Sequence, residues 1–120
     1  MTDLELGIKG EKQAEEFLKK QGYRIITKNF RTPFGQIDII ASEKNTLCFV
    51  EVKTRRNFSF GLPQEAVSSI KQKKILKVAL AYLKENGLLN RRVRFDVVSI
   101  LCDKNSYKIN LIRGAFECNE

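Results

Sequence analysis

Two acidic residues and a lysine fall on neighbouring predicted strands near the middle of the chain. Residues 35–41 and 47–54 are apolar runs rich in β-branched side chains, and polar residues 42–46 separate them. This pattern predicts a β-hairpin whose turn centres on Lys44 and Asn45. Counting outward from the turn places Asp38 directly opposite Glu51, with Lys53 on the same face of the sheet.

The opposed acids Asp38 and Glu51 suggest metal chemistry. Like charges directly across a strand pair destabilise it, and strands this apolar are usually covered on both faces, so both carboxylates should be partly desolvated. A divalent cation between them would turn the repulsion into coordination. The alternative is an ion-pair cluster in which Lys53 neutralises Glu51; because one lysine cannot neutralise two acids, the metal site is favoured. The opposite face is predicted to be apolar, with Ile37, Ile39, Ala41, Cys48, Val50 and Val52.

Composition excludes several classes of function. The chain has 120 residues, 42% hydrophobic and 30% charged, which predicts one globular domain spanning residues 1–120. The absence of histidine rules out Ser-His and Cys-His nucleophiles. No apolar run reaches the length of a bilayer span and no signal peptide is visible. Three scattered cysteines favour free thiols in a reducing cytoplasm, so we expect a cytoplasmic protein without membrane association.

The charge balance indicates a polyanionic partner. Basic residues number 22 against 14 acidic ones, a net charge of +8, and nucleic acid is the commonest partner of a small basic domain. Attachment to ribosomes or to anionic membranes is the alternative. The residues expected to contact nucleic acid are Arg55, Arg56, Lys71, Lys73, Lys74 and Lys77. Four lysines this close in a helix usually form a solvated face, although the helical spacing of Lys74 with Ile70 and Val78 suggests that Lys74 points inward.

Seven elements are needed to position these residues. Helices are predicted at 4–21, closed by Gly22, and from Pro63 to about Asn86, closed by Gly87. Strands are predicted at 23–28, on both sides of the hairpin turn, from residue 92 and at 107–112, with residues 29–34 as a loop. The order α-β-β-β-α-β-β suggests an α/β fold, a central mixed sheet flanked by both helices.

Glu11 on the first helix stands out by its position. Residues at 4, 8, 11, 15 and 18 share a helical face, which puts Glu11 and Glu15 in or beside an apolar stripe that also includes Ile8. Docking over the polar face of the hairpin would bring Glu11 near Asp38; the alternative is a carboxylate that reaches into solvent at the stripe's edge. Gly7 and Gly10 permit close approach of another group.

Two other patterns leave structural and functional interpretations open. Asp96 alternates with Arg92 and Arg94 along a predicted strand, which favours a structural salt bridge to one of them. The loop after Lys53 is basic and aromatic, and its Phe58 and Phe60 could stack on bases or anchor the loop to the core.

An acid on the first helix, then Asp38, then Glu51-X-Lys53 resembles the restriction-endonuclease-like PD-(D/E)XK nuclease superfamily. In outline the chain is similar to archaeal Holliday-junction resolvases. More closely, it resembles the small bacterial proteins of the YraN/UPF0102 family over nearly its whole length. The matching stretches are residues 7–11, 14, 22–23, 29, 35–41, 49–55, 61–63 and 94–98.

The resemblance implies a restriction-endonuclease-like three-layer fold and metal-dependent hydrolysis of phosphodiester bonds in structured or damaged DNA. Asp38 and Glu51 would ligate Mg²⁺ or Mn²⁺, Glu11 would complete or support the metal shell, and Lys53 would orient the attacking water. A homodimer is left open. The family usually has Gly-Glu-Ile-Asp where this chain has Gly35-Gln36-Ile37-Asp38. A catalytically inactive nucleic-acid-binding protein that retains the fold is therefore the alternative.

Overall fold

The predicted hairpin lies in a five-stranded sheet whose strands are neighbours in the same order as they follow along the chain. The computed structural model describes residues 1–56, 67–103 and 106–117. Its elements, in chain order, are α1 (Asp3–Lys20), β1 (Arg24–Thr32), β2 (Gly35–Glu43), β3 (Thr46–Arg55), α2 (Ser69–Glu85), β4 (Val93–Cys102) and β5 (Tyr107–Phe116). Strands β3 and β4 are parallel and the other neighbours antiparallel, so the predicted element order and mixed sheet are confirmed.

The two helices cover opposite faces of the sheet. Side chains alternate between faces along β3, so that Phe49 packs in one core with α2 whereas Cys48 and Val50 pack in the other with α1. Ala14 and Leu18 anchor α1 on the face of Ile39 and Val50. Docking of α1 over the face of Phe49 and Glu51 is therefore wrong. That face belongs to α2.

The apolar stripe of α1 differs from the predicted one. Thr2 caps the helix and forms a reciprocal capping box with Glu5, which starts the helix one residue earlier than expected. Its buried positions are Gly10, Ala14 and Leu18, whereas Ile8 is exposed. Of the helices in the described ranges, neither is long and apolar enough to cross a membrane.

Helix α2 begins later than predicted. Val67 and Ser68 are not helical, and Ser68 is the N-cap, its hydroxyl accepting a hydrogen bond from the Lys71 amide at 3.2 Å. A continuous helix from Pro63 is therefore wrong; residues 57–66, which include Phe58 and Phe60, lie outside the described part of the chain. Lys74 is exposed and does not point inward, because Ile75, Val78, Ala79, Tyr82 and Leu83 form the buried side.

Strands β1 and β5 extend beyond their predicted ends. The predicted loop at 29–34 is wrong for its first four residues, because pairing with β2 continues to Thr32–Gly35. Likewise β5 continues past residue 112, because Phe116 pairs with Phe95 and their rings stack with centroids 5.2 Å apart. In both cases a tertiary partner extends the strand beyond its local pattern.

The alternation of β2 breaks at Asp38. Ile37 and Ile39, two positions apart, should share a face, yet Ile37 packs in the α2 core and Ile39 in the α1 core. The β1 register pairs Lys28 with Ile39 and Phe30 with Ile37, so Asn29, in the left-handed conformation at φ 54°, stands opposite Asp38. The assignment of Ile37 to the same face as Ile39 is therefore wrong. Asp38 therefore lies at an irregularity in β2, between a residue of the α2 core and a residue of the α1 core.

Gly10 allows α1 to approach β3. A Cβ at this position would lie 3.1 Å from Thr54 Cβ and closer still to Thr54 Oγ1. We expect Gly10→Ala to lower the free energy of unfolding by up to about 2 kcal/mol, because overpacking costs roughly 1–3 kcal/mol and the better helix propensity returns about 1 kcal/mol. Gly7→Ala is the matched control, since nothing lies within 4 Å of its added Cβ. Urea denaturation should show Gly7→Ala equal to or more stable than wild type; a similar gain for Gly10→Ala would contradict the close approach.

Candidate functional site

Asp38 and Glu51 meet at the end of the β2–β3 pairing. The regular ladder ends at Ile39–Val50, and beyond it the Val52 amide donates to Asp38 Oδ2 at 2.8 Å. Gln36 Nε2 donates to Asp38 Oδ1 at 3.0 Å. Both acids are buried, with 7% and 6% of their surface exposed. The break in β2 and these two donors therefore fix the Asp38 carboxylate beside Glu51.

Burial and the neighbouring acid raise the pKa of Glu51 to about 8. Removal from water contributes most, followed by the negative charge of Asp38 and a hydrogen bond with it. The ammonium of Lys71 opposes the increase, with Nζ 2.8 Å from Glu51 Oε1. The cation paired with Glu51 is thus Lys71, from the first turn of α2, and not Lys53 as the ion-pair interpretation expected. Lys53 lines the same cavity and is half-buried.

An open cavity of about 930 Å³ gives access to this pair. Glu11 is half-buried on its wall, and its pKa is raised, first by burial and then by the charge of Asp38. The structure thus brings Glu11 to the site, although its helix covers the other face. Glu15 does not line this cavity and forms ion pairs with Lys28 at 3.0 Å and Lys19 at 3.4 Å. The lining is completed by Asp3, Leu6, Gly7, Val52, Lys53, Thr54, Arg55, Arg56, Ser68 and Lys71.

The carboxylate pair fits a hard divalent cation. Mg²⁺ is typically held by one or two carboxylates and completes its shell with waters and phosphate oxygens. Asp38 and Glu51 supply such a donor pair next to open space, and burial followed by the charge of Asp38 raises the pKa of Glu51, a cost of ionisation that a bound cation would offset. Within the described ranges no three candidate ligand side chains are close enough to hold an ion together. Glu11 stands at the cavity wall beside the pair.

The predicted nucleic-acid contacts divide into three groups. Arg55 is buried in the cavity wall, and Arg56 binds the Asp3 carboxylate and the Met1 carbonyl, the latter at 2.9 Å. Lys71 pairs with Glu51. The other three predicted contacts, Lys73, Lys74 and Lys77, are exposed on α2. Lys77 Nζ lies 5.5 Å from the centroid of the exposed Phe34 ring, a cation–π contact between residues far apart in the chain that no local pattern predicts.

A second polar cluster lies inside the α1 core around Asp96, which is fully buried. Its carboxylate accepts hydrogen bonds from Arg94 Nε at 2.8 Å, the Tyr23 hydroxyl at 2.7 Å and the Gly114 amide at 2.9 Å. The predicted structural pairing of Asp96 is confirmed, with Arg94 as its partner. Tyr23 and Gly114 were not expected, since neither is adjacent to Asp96 in the chain.

Glu43 connects the Asp96 cluster to the surface. It accepts from Arg94 at 2.7 Å and from Arg113 at 2.6 Å, and these guanidinium groups, Arg113 foremost, lower its pKa to about 2. The two carboxylates are met by arginines, a hydroxyl and a backbone amide, and Arg94 also donates to Cys48 Sγ at 3.4 Å. It is a satisfied structural network.

Two of the three cysteines are free thiols, as predicted. Cys48 is free and buried, and Cys102 is free and partly buried. Burial raises the pKa of the Cys48 thiol to about 12, so the thiol stays protonated, and its Sγ accepts a hydrogen bond from Arg94 at 3.4 Å. Cys118 lies outside the part of the chain that the structure describes.

The family and sequence comparisons agree with the resemblance to UPF0102 proteins. The model of the family described as "Uncharacterised protein family UPF0102" matches residues 10–100. A UPF0102 protein of Desulfosudis oleivorans is 52% identical over 113 residues, 94% of this chain and 90% of that protein. One of Caldicellulosiruptor saccharolyticus is 48% identical over 118 residues, 97% and 100% of the two chains. A solved structure of Archaeoglobus fulgidus Hjc, described as a Holliday junction resolvase, is 20% identical with a TM-score of 0.48, covering 86% of this chain and 72% of that one.

Proposed function

Because the chain belongs to the uncharacterised protein family UPF0102, we propose its function from the chemistry of its own site: a metal-dependent endonuclease that hydrolyses phosphodiester bonds in structured or damaged DNA. The DNA is expected to reach the cavity along the basic surface of α2. Free thiols at Cys48 and Cys102 suit a reducing cytoplasm.

The observation that supports this proposal most is the buried Asp38–Glu51 pair at the base of an open, cation-lined cavity. A structural role would favour neutral or fully paired groups at such a place, because burying two like charges costs free energy. Strongly shifted pKa values in a cleft are typical of sites where chemistry occurs. Lys53 and Lys71 beside the acids suit a phosphate substrate, as does the net charge of +8.

Asp38 and Glu51 would hold Mg²⁺ or Mn²⁺. The ion would lower the pKa of a bound water and polarise the phosphoryl group. Gln36 and the Val52 amide keep the Asp38 carboxylate oriented. Lys53 orients the attacking water and offsets negative charge that develops on the phosphate. Glu11 supports the shell from the cavity wall.

Cleavage assays with Mg²⁺ or Mn²⁺ on branched, single-stranded, damaged and plain duplex DNA test the proposal. We expect metal-dependent cleavage of branched or damaged substrates, and a loss of at least about 10²-fold in Lys53→Ala, the usual effect of removing one preorganised donor. Lys84→Ala, which removes an exposed lysine from the last turn of α2, is the control and should keep wild-type activity. Cleavage that survives in Lys53→Ala, or none on any substrate, would reject the assignment.

The second candidate is a nucleic-acid-binding protein without cleavage. The Lys71–Glu51 ion pair favours it, because this contact compensates one carboxylate without any metal. Unlike a nuclease, such a protein would bind DNA equally well in chelator and in Mg²⁺ and would leave every substrate intact. Binding and cleavage measured on the same preparations separate the two functions.

Salt dependence of DNA affinity tests the contact surface. Each phosphate neutralised by a lysine contributes about −0.7 to −0.9 to the slope of log affinity against log salt concentration. We expect the double variant Lys73→Ala/Lys77→Ala to reduce the magnitude of the slope by roughly 1.4–1.8. Lys20→Ala/Lys108→Ala removes two exposed lysines from α1 and β5 and should leave the slope unchanged. Equal slopes for wild type and the α2 variant would show that DNA binds elsewhere.

A further inference from the structure

Lys71 is a cation in an unfavourable local position. It is the third residue of α2, three positions after the Ser68 cap, and the first turn contains no acidic residue. In α1 the equivalent position after the Thr2 cap holds Glu5, which completes a capping box. A helix N-terminus carries partial positive charge, so a lysine there opposes the helix dipole. Positions that break a local rule usually serve something else in the structure.

What compensates Lys71 is the carboxylate of Glu51. The ammonium lies 2.8 Å from Oε1, and the two side chains differ sharply in exposure, at 45% for Lys71 and 7% for Glu51. The acid is therefore fixed inside the site, whereas the lysine reaches it from solvent along a flexible four-carbon stem. The ion pair can therefore separate by movement of the Lys71 side chain while Glu51 stays in place.

The carboxylate that Lys71 pairs with is the one that would bind the metal ion. A ligated Mg²⁺ lies about 2.0–2.1 Å from its carboxylate oxygens, so an ammonium at hydrogen-bond distance from Oε1 would meet a divalent charge a few ångströms away. Two cations this close to one carboxylate repel each other strongly. Lys71 has open solvent on its exposed side, and Glu51 does not.

We propose that Lys71 is a displaceable counter-ion of Glu51, which holds the carboxylate pair together in the metal-free protein and swings away when a divalent cation enters. The proposal rests on the metal site of the proposed function and adds a competitor to it. Lys71 thereby raises the metal concentration at which the site fills. Once released, its ammonium stays at the wall of the cavity that the substrate phosphate would enter.

Two measurements on the full-length protein test this proposal. In the first, Mg²⁺ and Ca²⁺ are titrated into metal-stripped protein at pH 9 by isothermal calorimetry. Lys71→Met, which keeps the apolar stem, should bind about tenfold more tightly than wild type, because one unit charge near the ion is removed. Lys73→Met is the matched control from the same helix and should match wild type within twofold.

The second measurement follows Lys71 in the wild-type protein and does not depend on how well a variant folds. Reductive methylation, read by mass spectrometry, should label Lys71 faster in saturating Mg²⁺ than in chelator, with the rate at Lys73 unchanged. Equal metal affinity in Lys71→Met and wild type, or a Lys71 labelling rate that Mg²⁺ leaves unchanged, overturns the counter-ion role while the metal site stands. Wild-type protein that binds neither cation overturns both.

Discussion

Glu51→Gln is expected to abolish metal-dependent cleavage and, in chelator at pH 9, to make the protein more stable than wild type. The substitution keeps the shape of the side chain and removes the charge that faces Asp38. Glu51 is preferred to Asp38 for this test, because the Asp38 carboxylate accepts hydrogen bonds from Val52 and Gln36 that an asparagine could not both keep.

The pH dependence follows from the pKa of Glu51, about 8 in the folded protein against an ordinary 4.5. The folded state binds the proton more tightly than the unfolded state, so this contribution to stability is complete below pH 4.5 and is lost as the pH rises through 8. Wild type should therefore lose stability relative to Glu51→Gln between pH 5 and pH 9, by a few kcal/mol. Magnesium should restore it in wild type alone, by about 2.7 kcal/mol at a hundredfold excess over Kd.

Thermal melts of both proteins at pH 5 and pH 9, with chelator and with Mg²⁺, provide the measurement. Glu16→Gln is the control, since Glu16 is an exposed acid on α1 and its loss should leave the pH profile unchanged. Wild type melting well above Glu51→Gln in chelator at pH 9 would mean that the Lys71–Glu51 pair is a structural ion pair. The metal site would then lose its main support.

Asp96→Asn is expected to lower the free energy of unfolding by about 3–5 kcal/mol, the usual cost of breaking a buried ion pair. An amide offers one acceptor oxygen where the carboxylate serves Arg94, Tyr23 and the Gly114 amide. The side-chain amino group of the asparagine would face N–H and O–H groups that also need an acceptor. For a domain of this size we expect the melting temperature to fall by roughly 10–20 °C.

Tyr23→Phe is the matched control, because it removes the two hydrogen bonds of the hydroxyl, to Asp96 and from Arg94, and leaves the Arg94–Asp96 ion pair in place. It should cost about 1.5–3 kcal/mol, the usual range for hydrogen bonds to charged groups. At a temperature where Asp96→Asn is fully folded, its Mg²⁺ affinity should equal that of wild type, since Asp96 lies in the α1 core and the Glu51 side chain faces α2. A melting temperature within a few degrees of wild type would show that solvent reaches the cluster.

The sequence predicted the hairpin well because two local rules, alternation and turn chemistry, agree there. Lys44 adopts the left-handed turn conformation at φ 56°, and the register follows from it. Alternation fails only where a residue outside the hairpin intervenes. Asn29 on β1 turns into the left-handed region opposite Asp38, and Ile37 moves to the other face. The change of face at Ile37 depends on β1, so the sequence pattern of β2 alone could not predict it.

Sequence reasoning predicts that Asp38 and Glu51 are close together, but it does not predict that Lys71 is the cation paired with Glu51. Asp38 and Glu51 are close in the hairpin, so short-range reasoning brings them together. Lys71 arrives from α2, whose start was placed at Pro63 instead of Ser69, and helix docking is a long-range property that spacing does not encode. One local signal was available: a lysine three residues after a serine cap, where an acid is usual.

The hydrogen bond from the Val52 amide to Asp38 Oδ2 turns one backbone resonance into a reporter of the site. An amide proton bonded to a carboxylate has a chemical shift that follows the charge on that carboxylate. The Val52 peak in a ¹⁵N–¹H spectrum should therefore move when a cation approaches Asp38, while Val50, inside the regular ladder, provides the internal reference. Because the acceptor is a side chain on an irregular strand, the exchange of the Val52 proton with solvent also reads how firmly that carboxylate is held.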